Sequence, residues 1–236
     1  MGELAARRPG KDELSVDAYV AAGGKWVKQM RANPLPKDDP KVKALLESYA
    51  KSLPEEGFLD QYEAVEAGQG QGSMGFRDLV LVLLRPEGEP AGRDSILLNI
   101  KAMRSDPDTA VFKNPYPDDA QRMMRAQELY APGWEPNVGT AELDGVEYYV
   151  RGIPPQNEKL KKPLKRDELE DLAYAVGTQL GRGHRLSVQG DPQRILEDLS
   201  AHLDDYAAAG LTMKEEIESA YRRYMRALKA LDEAKS

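Results

Sequence analysis

Three glycines at a spacing that suits phosphate stand out in this chain: Gly70-x-Gly72-x-x-Gly75, inside the run Gly68-Gln-Gly-Gln-Gly-Ser-Met-Gly75. Bare backbone at Gly70, Gly72 and Gly75, with the small Ser73 between, lets N–H groups approach phosphate oxygens closely. The flanks decide what kind of loop this is. A dinucleotide loop follows a strand and opens a helix. Here the apolar run Leu79-Val-Leu-Val-Leu-Leu84 follows the glycines and Gln61–Glu66 precedes them, which predicts strand, loop, strand. The competing reading of the same residues is a plain hairpin turn with surplus glycine.

A protein-kinase-type nucleotide site has that hairpin, then a lysine on the next strand that holds the phosphates, then a helix bearing the lysine's acidic partner. Ser95–Arg104 supplies a third strand over Ile96–Ile100 with Lys101 near its end. The lysine suits the role because its ammonium is a compact charge on a flexible stem; the alternative is an ordinary solvent-side lysine. Asp118–Ala131 reads as the helix, with acids in its first turn and Pro132-Gly133 after it. Gln121, Arg125 and Glu128 fall at i, i+4 and i+7 on one face. Glu128 is the expected partner of Lys101, or else a surface partner of Arg125.

Composition narrows the classes. The 236 residues are 41% hydrophobic and 31% charged, an ordinary globular balance. A net charge of −7 argues against a general nucleic-acid binder. With no cysteine there is neither a disulfide framework nor a thiolate metal site, which suits the cytoplasm. His184 and His202 are too few for a histidine-rich metal site. No apolar stretch has the form of a secretory signal or the length of a membrane span.

The elements that must position the site follow from pattern. Residues 16–31 have helical spacing interrupted by Gly23-Gly24, and Asn33–Pro40 reads as a rigid, helix-free linker. Lys41–Leu53 is a helix with Val42, Leu45, Leu46 and Tyr49 on one side. Residues 138–143 and 146–151 form a hairpin about Asp144-Gly145, a strong turn signal. The C-terminal part is helical. Asp167–Arg185 should bury Leu169, Leu172, Ala173, Val176 and Leu180, and Asp191-Pro192 should cap a helix running to about Ala209. Thr212-Met-Lys-Glu215 reads as the capping box of a last helix whose stripe, Ile217, Tyr221, Tyr224, Leu228 and Leu231, packs into a core.

Taken in order, these pieces resemble a bacterial family, domain of unknown function 2252. The matching residues are Gly70–Gly75 with Arg77, Ile100-Lys101, Gln121–Gln127, Tyr148–Gly152, Ala173–Gly177, Leu180–His184 and Asp204-Asp205-Tyr206. That family looks like a distant, rearranged relative of protein kinases and aminoglycoside phosphotransferases. Its longer members carry Gly-Asp-x-His and Asn-Asp-Phe-Asp segments resembling a kinase catalytic loop and metal-binding aspartate. Residues 1–60 match neither, and Gly190-Asp191 reads better as a helix cap. His184 matches a histidine that ends a packing helix.

The expected fold is α+β: a small antiparallel sheet of about five strands with a packed helix, like a kinase small lobe, flanked by N- and C-terminal helices. The expected regions are residues 1–55, 56–156 and 157–236. The expected function is a kinase-like nucleotide-binding module, a pseudokinase that lacks the catalytic half. Gly70, Gly72, Ser73 and Gly75 would cover the phosphates, Lys101 oriented by Glu128 would contact them, and the backbone of Tyr149–Ile153 would meet the adenine. ATP is the expected cofactor, with magnesium beside it, held by no metal ligand located in the sequence. Asp204 and Asp205 are the remaining acids that could serve. The alternatives are a non-catalytic interaction protein on the same scaffold and a small-molecule phosphotransferase. The expected partners are another protein or a second copy of the chain, with neither nucleic acid nor membrane. Residues 211–231 are long enough to cover apolar surface left open beside the sheet.

Overall fold

The computed structural model describes residues 16, 33–71, 78–92, 94–103, 113–154, 164–187 and 191–233. Six strands form one antiparallel sheet: β1 Asn33–Leu35, β2 Tyr62–Gln71, β3 Asp78–Pro86, β4 Ile96–Ala102, β5 Gly139–Leu143 and β6 Val146–Gly152. Their spatial order is β1-β2-β3-β4-β6-β5. The helices are α1 Pro40–Ala50, α2 Asp119–Tyr130, α3 Arg166–Ser187, α4 Pro192–Ala201 and α5 Leu203–Glu233. The fold is therefore α+β. Two compact units divide the chain, Met1–Ser187 and Val188–Ser236.

In the first unit β3 and β4 are central, and residues 80–84 and 97–100 are buried throughout. Both faces of these strands are covered, so their sequences run apolar without alternation. Alternate residues build two separate clusters. Val80, Val82, Leu84, Leu98, Ile100, Tyr148 and Val150 meet Val42, Leu45 and Tyr49 of α1. Leu81, Leu83, Leu97 and Ile153 lie on the other face with Val16.

The linker expected over Asn33–Pro40 carries a sixth strand, because β1 pairs with β2 from Asn33 opposite Gln69 to Leu35 opposite Ala67. Prolines do not forbid this at an edge, where one row of N–H groups needs no partner. At the opposite edge, Ser48 of α1 and Ser52 just beyond its end satisfy outward donors of β5. The Thr140 N–H donates to Ser52 Oγ at 2.9 Å and the Glu142 N–H to Ser48 Oγ at 2.8 Å. Two serines one helical turn apart thus match two donors at strand spacing, which closes an edge that would otherwise invite pairing. Gly139 permits the approach, since a Cβ there would lie 2.5 Å from Ser52 Oγ and 2.7 Å from the Tyr49 ring.

The C-terminal half departs from its sequence pattern in three places. Leu169, Val176 and Leu180 of α3, expected in a core, are exposed, and Leu172 is only half-buried. A helix does begin at Asp191, whose side chain accepts from the Gln193 N–H, but it ends at Ala201 and not near Ala209. Thr212 starts no helix; it lies inside α5 and its hydroxyl donates to the Ala208 carbonyl at 3.2 Å. Alanines, and Asp204 and Asp205 at the positive end of α5, support the earlier start. Ile217, Tyr221 and Tyr224 are exposed in their unit, not packed in a core.

Candidate functional site

The sheet register brings the predicted site residues into rows. Gly70 pairs with Leu79, Leu79 with Lys101, and Lys101 with Tyr149. Residues opposite one another in a sheet point to the same face. A Cβ on Gly70 would sit 3.5 Å from the Leu79 side chain, so the end of the glycine strand faces the same way as Lys101. Two strand spacings, about 10 Å, separate the Gly70 and Lys101 backbones. The next row inward is Gly68, Leu81, Asn99 and Arg151. Gly72, Ser73 and Gly75 lie outside the described residues.

The stem of the glycine hairpin is held from the opposite face. Asp78, the first residue of β3, accepts from Gln69 Nε2 at 2.8 Å and from the Tyr148 hydroxyl at 3.3 Å, and pairs with Lys41 of α1. Three elements thereby converge on the residue where the chain re-enters the sheet. Burial, with Asp78 second, pushes the Tyr148 phenol up to about 12.

A cleft of ≈ 350 Å³ opens between α2 and the Lys101 face. Asn99 and Lys101 of β4, Met103 just after it, and Tyr149 and Arg151 of β6 form its floor. Met123, Ala126, Gln127 and Tyr130 of α2 form its wall, and Glu135 closes one side. Mixed apolar walls with a few convergent polar groups are typical of small-molecule sites. The wall stands where it does because α2 and α3 approach closely at Gly183, where a Cβ would fall 2.0 Å from the Tyr130 ring. His184 meets Tyr130 edge-on with centroids 5.7 Å apart.

Within the cleft the charges are arranged as follows. Glu135 accepts from the Tyr149 hydroxyl at 2.7 Å through one carboxylate oxygen and pairs with Arg151 through the other. Both of its oxygens are engaged, which suits a carboxylate with 13% side-chain exposure. Burial pushes the Tyr149 phenol up to about 12 and lowers the Arg151 guanidinium. Asn99 differs. It is 9% exposed, and among the described residues its amide makes no side-chain hydrogen bond. A buried amide without a partner costs on the order of 1–3 kcal/mol.

The structure places Glu128 elsewhere than expected. Its carboxylate pairs with Arg125 at 2.8 Å on the exposed side of α2, and it does not line the cleft with Lys101. The stripe Gln121, Arg125 and Glu128 is the solvent face; Met123, Ala126, Gln127 and Tyr130 are the inward one. One helical residue is about 100° of rotation, so Gln127 takes the direction assigned to Glu128. The backbone of β6 is likewise engaged. Lying between β4 and β5, it uses Tyr149 and Val150 in both pairings, while the Gly152 and Ile153 N–H groups donate to Pro136 and Leu97 carbonyls. Any base near Tyr149–Ile153 would be met by side chains.

Asn99, Glu135 and Arg151 were missed as site residues. Asn99 had a signal: it interrupts an apolar strand two residues before Lys101, hence on the same face. Glu135 had none, since it comes from an irregular segment after α2. Among the described residues, no group of three or more His, Cys, Asp or Glu side chains is placed to hold a metal ion. Of the residues that line the cleft, Glu135 carries the carboxylate, and Tyr149 and Arg151 engage both of its oxygens. Among the described residues no helix is long and apolar enough to cross a membrane.

A family model described as an uncharacterized protein conserved in bacteria (DUF2252) matches residues 14–230. No curated protein matches the chain, and no solved structure does.

Proposed function

We propose that this chain, which belongs to the family of uncharacterized proteins conserved in bacteria (DUF2252), is a kinase-like module that binds a nucleotide without turning it over by itself. The observation behind this reading is the row Gly70–Leu79–Lys101–Tyr149, with α2 packed beside it. Glycine hairpin, lysine strand and following helix occur in the order of a kinase nucleotide site, and the lysine faces the helix side. Lys101 and the backbone at the end of β2 would hold phosphate oxygens of ATP. Glu135 is committed to Tyr149 and Arg151.

One lysine and a backbone loop make a weak anion site, with Kd near a millimolar, about −4 kcal/mol. Calorimetry with ATP, with and without magnesium, tests this on the full chain and on Lys101→Ala. The expected result is a millimolar isotherm that Lys101→Ala weakens and magnesium does not strengthen. Absence of heat from both proteins at millimolar ATP would remove the reading.

A second reading, a non-catalytic interaction protein, draws on the exposed Leu211, Met213, Ile217, Tyr221, Tyr224 and Leu228 of α5. Exposed apolar residues repeating along a helix suit a partner helix or a second copy of the chain. Light scattering across a concentration series is the measurement that separates an associating chain from a monomer.

A further inference from the structure

Asn99 is a buried polar residue of the cleft that the phosphate reading leaves without a role. Its side chain is 9% exposed, lines the cleft, and makes no side-chain hydrogen bond among the described residues. Its neighbours do not explain it. The Glu135 carboxylate is taken by Tyr149 and Arg151, and the Gln127 amide nitrogen donates to the Ala131 carbonyl at 2.8 Å. A leucine, larger but with the same branching at Cγ, would continue the apolar run of β4 on this face, where Leu97 precedes it. Buried amides without partners are retained where something else pairs with them.

A carboxamide presents an acceptor and a donor side by side in one plane. The complementary surface is the edge of a planar nitrogen heterocycle with an adjacent donor and acceptor, as at adenine N6 and N7. The cleft's other walls suit such a ring: Met103 and Tyr149 on the sheet side, Met123, Ala126 and Tyr130 on the helix side. Its volume of ≈ 350 Å³ lies within the usual range of ligand sites. Position fits too. Asn99 stands two residues before Lys101 on one face of β4, about 7 Å along the strand. A ring paired with Asn99 could therefore extend a chain of phosphates past Lys101 toward Gly70.

We infer that the Asn99 amide reads the edge of a purine-type base in the cleft between α2 and β4–β6, and so selects the base of the nucleotide proposed above. The inference rests on the nucleotide reading for the direction of the phosphates, but the base site itself can be tested without them. Adenosine probes the cleft alone, and inorganic tripolyphosphate probes Lys101 and the glycine strand alone. Both are titrated by calorimetry into the full chain and into the Asn99→Leu and Lys101→Ala variants.

The expected result has three parts. Adenosine binds the wild type and is weakened roughly 10- to 100-fold by Asn99→Leu, the discrimination that a bidentate base contact supplies. Tripolyphosphate binding is unchanged by Asn99→Leu and weakened by Lys101→Ala. Asn99→Leu melts at the same temperature as the wild type or higher, because it removes a buried polar group that makes no side-chain hydrogen bond among the described residues. If tripolyphosphate binds and adenosine does not, the base site is refuted while the phosphate reading stands. If adenosine binds in an Asn99-dependent way and tripolyphosphate does not, the base site stands and the phosphate reading falls. An Asn99→Leu chain that binds adenosine normally, or that melts well below the wild type, overturns the inference, the latter by showing that the amide supports the fold.

Discussion

The two faces of the sheet are built from the same strands and do opposite work. On the α1 face, Leu98, Ile100, Val82 and Val150 are fully buried in a continuous apolar cluster with Val42, Leu45 and Tyr49. On the α2 face, one residue away along the same strands, Asn99, Lys101, Tyr149 and Arg151 border an open cleft. The period of two along a strand makes this division possible. Along β4 and β6, alternate side chains from Leu98 and Tyr148 onward go to the closed cluster and to the polar groups of the cleft, while β3 is apolar on both faces. Polar residues on the cleft face are affordable because the opposite face is closed, and because Asp78, on that closed side, holds the hairpin stem.

The contrast is sharpest in Leu98 and Asn99. Leu98→Ala deletes a fully buried side chain from the closed cluster, and large-to-small changes of this kind cost about 2–5 kcal/mol. Urea unfolding should show that loss as a lowered midpoint, while Asn99→Leu shows none. Equal destabilisation by both variants would erase the distinction between the faces.

A smaller effect separates the adjacent tyrosines Tyr148 and Tyr149, which point to opposite faces. Both hold their protons more tightly in the folded chain, with pKa values raised from 10.0 to about 12, in each case mainly through burial. A raised folded pKa means that the contribution is present in full below pH 10 and is lost as the pH rises through about 12. Stability followed by urea midpoint should therefore fall across that window. Tyr148→Phe and Tyr149→Phe should each remove part of the slope. A profile that is flat from pH 9 to about 12 in the wild type would contradict the burial of both phenols.

The smallest effect is expected at Glu128. Glu128→Gln removes an exposed pair with Arg125 on the solvent side of α2. Melting temperature and ATP titrations should match the wild type within error. A clear loss of ATP binding would restore Glu128 to the site and displace the assignment of the inward face to Gln127.

Much of this architecture was legible residue by residue. The apolar runs at 79–84 and 96–100 became central strands, and Asp118 caps α2 through a hydrogen bond to the Gln121 N–H at 2.6 Å. Asp144-Gly145 turns the last hairpin with φ of 53° and 75°, the two left-handed residues that such a turn requires. These features depend on neighbours in sequence, so local composition determines them. The pairing of β1 with β2 depends on a segment far along the chain, Ala67–Gln69, and nothing in Asn33–Leu35 announces it. The start of α5 was misplaced because a capping-box pattern at Thr212 is only a local option, which a helix already running from Leu203 overrides.

The site divides in the same way. Lys101, Gly70 and the helix after them were readable because order along the chain and period along a strand are sequence properties. Which residue of α2 faces Lys101 was not, because that depends on how far the helix is rolled against the sheet. Its close approach to α3 at Tyr130 and Gly183 belongs to the folded chain alone. Glu135 entered the cleft by the same route, from an irregular segment carried there by the packing of α2. Sequence determined the strands, the turn and the rows they could form; tertiary packing decided which side chains share the cleft, because helix rotation and loop placement are set by contacts between residues far apart in the chain.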